Sequence, residues 1–177
     1  MRVSATQLGA IGENIVASYL ILASGGRLSP FKAVADDSGI DLLIYDKVTG
    51  RAVPVQVKSR THTLARSPNT VHFGIRQATF NEAQHAYLLA VLFAENVMPL
   101  TVQRAWLIPM NEVRGIAADR TETLILRPCH TLTSADRYTP YRCTDLSEVA
   151  QRLMAWFDGE AERERAAIPA GMTPEAR

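Results

Sequence analysis

The sequence has little of several features that would place a protein in a class directly. Only two of its 177 residues are cysteine, Cys129 and Cys143, so we expect free thiols rather than a disulfide framework. No apolar run approaches the roughly 20 residues that a membrane-spanning helix needs. The first residues also lack the pattern of a signal peptide. We therefore expect a cytoplasmic protein that does not enter a membrane.

Net charge is also nearly absent, since the formal charge is +1, and global charge therefore predicts no particular partner. One segment departs from this balance, because no acidic residue occurs between Asp46 and Glu82 although lysine, arginine and histidine recur there. A local positive field of this kind is expected of a surface that binds the phosphate backbone of nucleic acid, and a chance cluster is the alternative. The residues that we expect to bind nucleic acid are Arg51, Arg60, His62, Arg66 and Arg76.

The remaining composition predicts one globular domain. With 47% hydrophobic residues the chain has enough apolar material for a single core, which we assign to residues 1–160. Residues 161–177 are charged and end in a segment rich in proline and glycine, so we expect a disordered tail there. A short helix is predicted over Ala78 to His85. The continuous apolar run from Tyr87 to Ala94 is typical of a buried, often parallel strand.

A first helix is predicted from about Ala5 to Ala23, because a capping-box pattern precedes it and two glycines follow it. Its apolar stripe predicts the buried face and consists of Leu8, Ile11, Ile15, Tyr19 and Leu22. Glu13 lies off this stripe, among small and apolar helical neighbours rather than on a charged face. Gly9 and Gly12 should allow the helix to approach another element closely.

The central segment predicts a β-hairpin, since two apolar runs flank a turn-like stretch from Asp46 to Gly50. If the hairpin closes symmetrically about the Val48–Thr49 bond, Asp41 lies directly opposite Gln56. Strand alternation then places Gln56 and Lys58 on one face and the valines of the second run on the other. Pro54 lacks the N–H of a central strand, which predicts either a locally unpaired strand or a bulge that shifts the register by one residue.

Asp41, Gln56 and Lys58 should therefore converge on one small patch of the sheet. A carboxylate and an amide oxygen are hard ligands that suit Mg²⁺. A lysine two residues further along can hold or deprotonate a water beside a phosphate. The plainer interpretation is that Gln56 and Lys58 are ordinary solvated residues of a hairpin.

At these positions the chain resembles the PD-(D/E)xK nuclease superfamily, whose pattern is an aspartate followed after a gap by Glu/Gln-x-Lys. Here the pattern is Gly39-Ile40-Asp41 and then Gln56-Val57-Lys58. The proline of the motif is absent, and glutamine replaces the usual glutamate, as it also does in Mrr-type restriction nucleases. Within this superfamily the chain resembles archaeal Holliday-junction resolvases and small resolvase-like proteins, in which an N-terminal helix carries a glutamate that Glu13 matches.

The resemblance implies an α/β fold with a restriction-endonuclease-like αβββαβ core, a mixed sheet flanked by helices, and a C-terminal strand and helix extension. It implies a metal-dependent nuclease that hydrolyses DNA phosphodiester bonds, and it admits a homodimer. The implied catalytic residues are Glu13, Asp41, Gln56 and Lys58. The implied ligands of Mg²⁺ or Mn²⁺ are Asp41, Gln56, the Val57 carbonyl and Glu13.

Three alternatives remain open. Because Gln56 removes one negative charge from the site, the chain could be a catalytically inactive nuclease fold that binds DNA without cutting it. It could instead be a protein-interaction module of a defence or mobile-element system, with the basic segment facing an acidic partner. Finally, Glu13 and Asp41 could simply pair with Lys58 in a structural ion network.

Overall fold

A computed structural model describes residues 4–33, 39–80, 82, 85–94 and 99–167. The elements in chain order are α1 (Ala5–Ala23), β1 (Leu28–Lys32), β2 (Leu42–Asp46), β3 (Arg51–Arg60), β4 (Phe73–Arg76), β5 (Tyr87–Phe93), β6 (Val102–Pro109), α2 (Met110–Ile116), β7 (Ala118–Arg120), β8 (Thr123–Leu126), β9 (Arg142–Cys143) and α3 (Leu146–Ala167). None of the helices in these ranges has the length and apolar character needed to cross a membrane.

The strands form two sheets. The larger sheet has the order β1-β2-β3-β5-β6-β9, and only β3 and β5 run parallel within it. The smaller sheet is antiparallel and has the order β4-β8-β7. The predicted fold class is confirmed, since the protein is α/β with a mixed sheet flanked by helices.

The larger sheet separates two hydrophobic cores. One face packs against α1 and α3, and the other packs against the smaller sheet and α2. Strand β5 contributes to both cores, because Leu89 and Val91 face the first while Leu88 and Ala90 face the second. Burial on both faces explains why this strand is a continuous apolar run, and the predicted parallel strand is confirmed.

The capping box of α1 is confirmed, because Gln7 N–H donates to Ser4 Oγ at 3.2 Å and Ser4 N–H donates to Gln7 Oε1 at 2.9 Å. The predicted buried stripe is wrong. Its members Ile11, Tyr19 and Leu22 are 40%, 46% and 76% exposed. The buried residues of α1 are Gly12, Val16 and Leu20.

The α1 helix is turned in this way because a glycine makes its closest contact with the sheet. A Cβ atom on Gly12 would lie 2.6 Å from Ser59 Oγ and 3.3 Å from the Phe93 ring. A hydrophobic stripe gives glycine little weight, so the sequence indicated the wrong face. The close approach expected at Gly9 is not found, since a Cβ atom there would meet nothing within 4 Å. The orientation places Glu13 beside the buried face.

The predicted hairpin register is confirmed. Leu42 pairs with Val55, and Asp41 N–H donates to Val55 O at 3.1 Å. Pro54 causes no bulge and pairs in register with Leu43. Because the backbone N–H groups of a strand point alternately to its two sides, the Pro54 nitrogen points toward β5. Pairing with β5 begins only at Val55, so the N–H that proline lacks is not needed for a hydrogen bond between strands.

Two predicted segments differ from the structure. In place of the helix over Ala78 to His85, the chain makes one 3-10 turn at Gln77–Thr79 and continues in an extended conformation at Phe80, while residues 81, 83 and 84 lie outside the described ranges. The reason is a distant contact, because Gln77 N–H donates to Glu122 O beside β8. Helix α3 also continues to Ala167, beyond residue 160, where the tail was expected to begin.

Candidate active site at the edge of β3

Strand β3 extends beyond its neighbour on one side. Strand β2 pairs with β3 only as far as Val55, whereas β5 follows β3 as far as Arg60. Within the described ranges, the last residues of β3 have no strand paired to them on the side where β2 lies. Backbone groups at this edge are therefore available to side chains or ligands, and the helix α1 and the strand β4 border the opening.

The Asp41 carboxylate occupies the beginning of this edge. Its Oδ2 atom accepts a hydrogen bond from Val57 N–H at 2.6 Å. A short bond from a backbone amide to a carboxylate is among the stronger hydrogen bonds in proteins, and it orients the side chain. The predicted proximity of Asp41 to the Gln-x-Lys segment is thus realised through the backbone of Val57.

Gly39 allows the chain to reach this position. Its φ angle is +69°, in the left-handed region that favours glycine. A Cβ atom on Gly39 would lie 2.7 Å from Thr79 O and 2.8 Å from Gln56 Nε2. The glycine is therefore enclosed between β3 and the 3-10 turn, two residues before Asp41.

Gln56 is not the solvated hairpin residue of the plainer interpretation, since it is only 3% exposed. Its Oε1 atom is buried and accepts no hydrogen bond within the described part of the chain. A buried acceptor without a donor costs about 1–3 kcal/mol, unless a further group supplies its partner. Lys58, on the same face of β3, is half-buried.

Glu13 and Lys58 line the same cleft. The cleft has a volume of about 190 Å³, and Val57, Ser59 and Arg60 also line it. The nearest basic partner of Glu13 is Lys32 at the end of β1, whose Nζ lies 3.1 Å from Glu13 Oε2. Lys32 has no motif around it that would identify it from the sequence. The ion pair formed by Glu13 is therefore not the predicted pair with Lys58.

The donor atoms at this edge suit a hard cation. They are the Asp41 carboxylate and the Val57 carbonyl, which alternation directs to the same edge as the Val57 N–H, and the neighbouring residue Gln56 has a buried Oε1. Oxygen donors of this kind fit Mg²⁺, and the buried Oε1 has no donor to displace. The described ranges contain no group of three or more His, Cys, Asp or Glu side chains placed to hold a metal. Asp41 supplies a carboxylate to this set, and the oxygens of Gln56 and Val57 are neutral.

The predicted nucleic-acid-binding residues are distributed unevenly. Arg60 lines the cleft, and its Nε donates to His72 O at 3.1 Å, while His62 lines an adjoining cavity. Burial, and then the charges of Arg127 and Arg60, lower the pKa of His72. The exposed residues Arg66 and Arg76 lie in the loop after β3 and at the end of β4.

Arg51 lies apart from this group. It begins β3 and forms an ion pair with Glu164 of α3. Seven residues of strand separate it from Lys58, which corresponds to roughly 20 Å. The structure therefore brings Arg60 and His62 to the cleft and leaves Arg51 at the opposite end of the strand.

No protein-family model matches the sequence, and no curated protein matches it. Among solved structures, the fold is similar to that of the bacterial homing endonuclease I-Ssp6803I, with a TM-score of 0.60 and 18% sequence identity. The similarity covers 92% of this chain and 99% of that chain. At this identity the comparison establishes the fold alone, and the protein has a nuclease-like fold.

Proposed function

We propose that this protein is a metal-dependent nuclease of the PD-(D/E)xK type that hydrolyses DNA phosphodiester bonds. The observation that carries the proposal is the 2.6 Å hydrogen bond from Val57 N–H to Asp41, which places this carboxylate one residue from Lys58. Glu13 of α1 and Lys58 of β3 line one cleft, which Val57 lines as well. The nuclease-like fold is the second support.

The roles follow from the chemistry of each group. Asp41, the Gln56 Oε1 atom, the Val57 carbonyl and Glu13 would hold Mg²⁺ or Mn²⁺. Such an ion lowers the pKa of a bound water and neutralises charge on the phosphate. Lys58 orients the attacking water and stabilises the negative charge that develops on the phosphate. Beside the cleft, Arg60 holds a phosphate of the same strand.

A second candidate function is DNA binding without cleavage. It is favoured by the ion pair between Glu13 and Lys32, because the paired carboxylate has less charge to offer a metal ion. The neutral Gln56 acts in the same direction. Both candidates use the same cleft and the same basic neighbours, so only a cleavage measurement separates them.

Cleavage of supercoiled plasmid in the presence of Mg²⁺ or Mn²⁺ tests the proposal. We expect the natural protein to nick the plasmid and EDTA to stop the reaction. Asp41→Asn keeps the shape of the side chain and should reduce the rate by about 100-fold or more, and so should Lys58→Ala. The matched control is Lys47→Ala, because Lys47 lies in the exposed turn and its ammonium group donates to Gly26 O.

The outcomes separate the candidates. Plasmid binding without nicking by the natural protein, with either metal ion, would establish the binding-only function. Equal nicking rates for Lys58→Ala and Lys47→Ala would contradict the assignment of the site. Absence of DNA binding at moderate salt would exclude both functions and leave the interaction-module hypothesis.

A further inference from the structure

A groove of three adjoining cavities extends from the cleft past the end of β3. A second cavity of about 130 Å³ shares Arg60 with the cleft. A third cavity of about 380 Å³ shares His62 and Thr63 with the second. The three cavities therefore follow one another from Lys58 past Arg60 to His62, in the direction in which β3 runs.

The second and third cavities differ in chemistry. Arg60 and His72 line the second cavity, which is narrow and suits a phosphate. None of the described residues that line the third cavity is Asp, Glu, Lys or Arg. This cavity instead has two imidazole rings, from His62 and His130, together with the amide of Gln103, threonine hydroxyls and an apolar wall that includes Leu92. A neutral planar ligand fits it better than an anion does.

The backbone around the third cavity is tied down by several hydrogen bonds. His130 N–H donates to Asn69 O at 2.8 Å, and Arg104 Nε donates to His130 O at 3.2 Å. These bonds hold the loop after β3 against the segment that follows β8. Gln103 is exposed on β6, and its side-chain amide makes no hydrogen bond within the described part of the chain, so this amide is available to a ligand.

We propose that the third cavity binds one unpaired nucleobase of the DNA strand whose phosphates lie along Lys58 and Arg60. Its volume lies within the range of about 300–1,000 Å³ that is usual for small-ligand sites. Imidazole rings stack on the faces of unstacked bases, and amide and hydroxyl groups reach the Watson–Crick edge of a base only when the base is not paired. The inference rests on the proposed function and specifies its substrate class as DNA with an unpaired nucleotide near the scissile phosphate.

Equilibrium binding in EDTA tests the inference without any cleavage. Three duplexes are compared that differ at one position only. In the first duplex this position is fully paired, in the second it carries one unpaired nucleotide, and in the third an abasic residue replaces that nucleotide. The abasic strand keeps the phosphates and removes only the base. We expect the unpaired nucleotide to bind at least about fivefold more tightly than the abasic duplex, since stacking one base on a ring contributes measurably to affinity.

Two variants locate the effect. Gln103→Ala and His62→Ala should each reduce the ratio between the unpaired and abasic duplexes toward one. Both side chains are exposed, so neither substitution disturbs a core. The matched control is Gln151→Ala, because Gln151 is exposed on α3, on the opposite face of the larger sheet, and should leave the ratio unchanged.

Equal affinity of the natural protein for the unpaired and abasic duplexes would overturn the inference. An undiminished ratio in both Gln103→Ala and His62→Ala would overturn it as well, since the base would then bind elsewhere. These outcomes are independent of the plasmid assay. Base discrimination without nicking would refute cleavage alone, and nicking without base discrimination would refute only the nucleobase cavity.

Discussion

Gly39 and Gly50 have nearly the same left-handed backbone conformation but different surroundings. Alanine substitutions at the two positions therefore separate the effect of a close contact beside the site from the effect of backbone strain. Gly39 has a φ of +69° and Gly50 a φ of +71°. A Cβ atom on Gly39 would overlap Thr79 O and Gln56 Nε2, whereas one on Gly50 would meet only Tyr45 Oη at 4.0 Å. We expect Gly50→Ala to destabilise the protein by about 1 kcal/mol, from backbone strain alone.

For Gly39→Ala we expect a loss of about 2 kcal/mol or more, because the overlap adds to the same strain. Urea denaturation of both variants measures the difference. Similar losses in the two variants would mean that the chain around Gly39 moves aside without cost. In that case this glycine would not be needed to bring Asp41 to β3.

At the scale of elements, α1 contains two glycines of opposite character. Gly12 lies against Ser59, and Gly9 has open space where its Cβ would be. We expect Gly9→Ala to stabilise the protein by roughly 0.5–1 kcal/mol, since alanine is the better helix former. We expect Gly12→Ala to destabilise it by roughly 1–3 kcal/mol, because the methyl group would force the helix away from the sheet.

Denaturant midpoints for Gly9→Ala and Gly12→Ala check this pair. The Gly12→Ala/Ser59→Gly double variant should recover part of the loss, because it removes the atoms that the new methyl group would meet. If both substitutions changed the stability of the protein in the same direction, the close packing of α1 on β3 would not be the cause of the effect at Gly12.

Arg27, which precedes β1, connects β2 and α3 through ion pairs. Arg27 Nε donates to Asp46 Oδ1 at 2.7 Å, and Arg27 Nη2 donates to Asp158 of α3 at 2.6 Å. Burial by itself would raise the pKa of Asp46. Hydrogen bonds from Arg27, Thr49 and the Val48 amide outweigh burial and lower that pKa from 3.8 to about 2. The stabilisation is therefore complete above pH 4 and is lost as the pH falls toward 2.

Replacement of this carboxylate should show the same pH dependence. We expect Asp46→Asn to lower the free energy of unfolding by about 2 kcal/mol at pH 7. The difference from the natural protein should shrink below pH 4 and nearly vanish near pH 2. Urea denaturation at a series of pH values measures it. A difference that stays constant down to pH 2 would contradict the assigned cause.

At the scale of the whole molecule, a chain with a net charge of +1 concentrates positive charge at one groove. Arg60 lines this groove, whereas Arg51 is paired with Glu164 at the other end of β3. We expect Arg60→Ala to reduce the slope of log affinity against log salt by about one, because one phosphate contact is lost. Arg51→Ala should leave the slope unchanged.

Titration of DNA binding between low and moderate salt measures both slopes. Equal reductions for Arg60→Ala and Arg51→Ala would show that DNA covers the whole of β3, which is the broader surface expected from the sequence. A reduction for Arg60→Ala alone would confine the DNA to the groove.

The proximity of Asp41 to the Gln-x-Lys segment could be predicted because it depends on local information. The turn length and the alternation of the valines specify the register of the hairpin, and a slip of one residue would turn every valine of β3 out of the core. Burial of Gln56 and the ion pair of Glu13 with Lys32 could not be predicted, since both depend on elements that approach from elsewhere in the chain.

The limits of α1, the hairpin and the buried β5 can be read from the amino acids alone, because caps, turns and hydrophobic periodicity act over a few residues. Which side of α1 is buried depends instead on packing between distant segments, since the fit of Gly12 against Ser59 outweighs the apolar stripe. The tertiary structure also decided the smaller sheet, in which Phe73 pairs with the distant Leu126. Such contacts depend on the shapes of both partners, and neither segment carries that information alone.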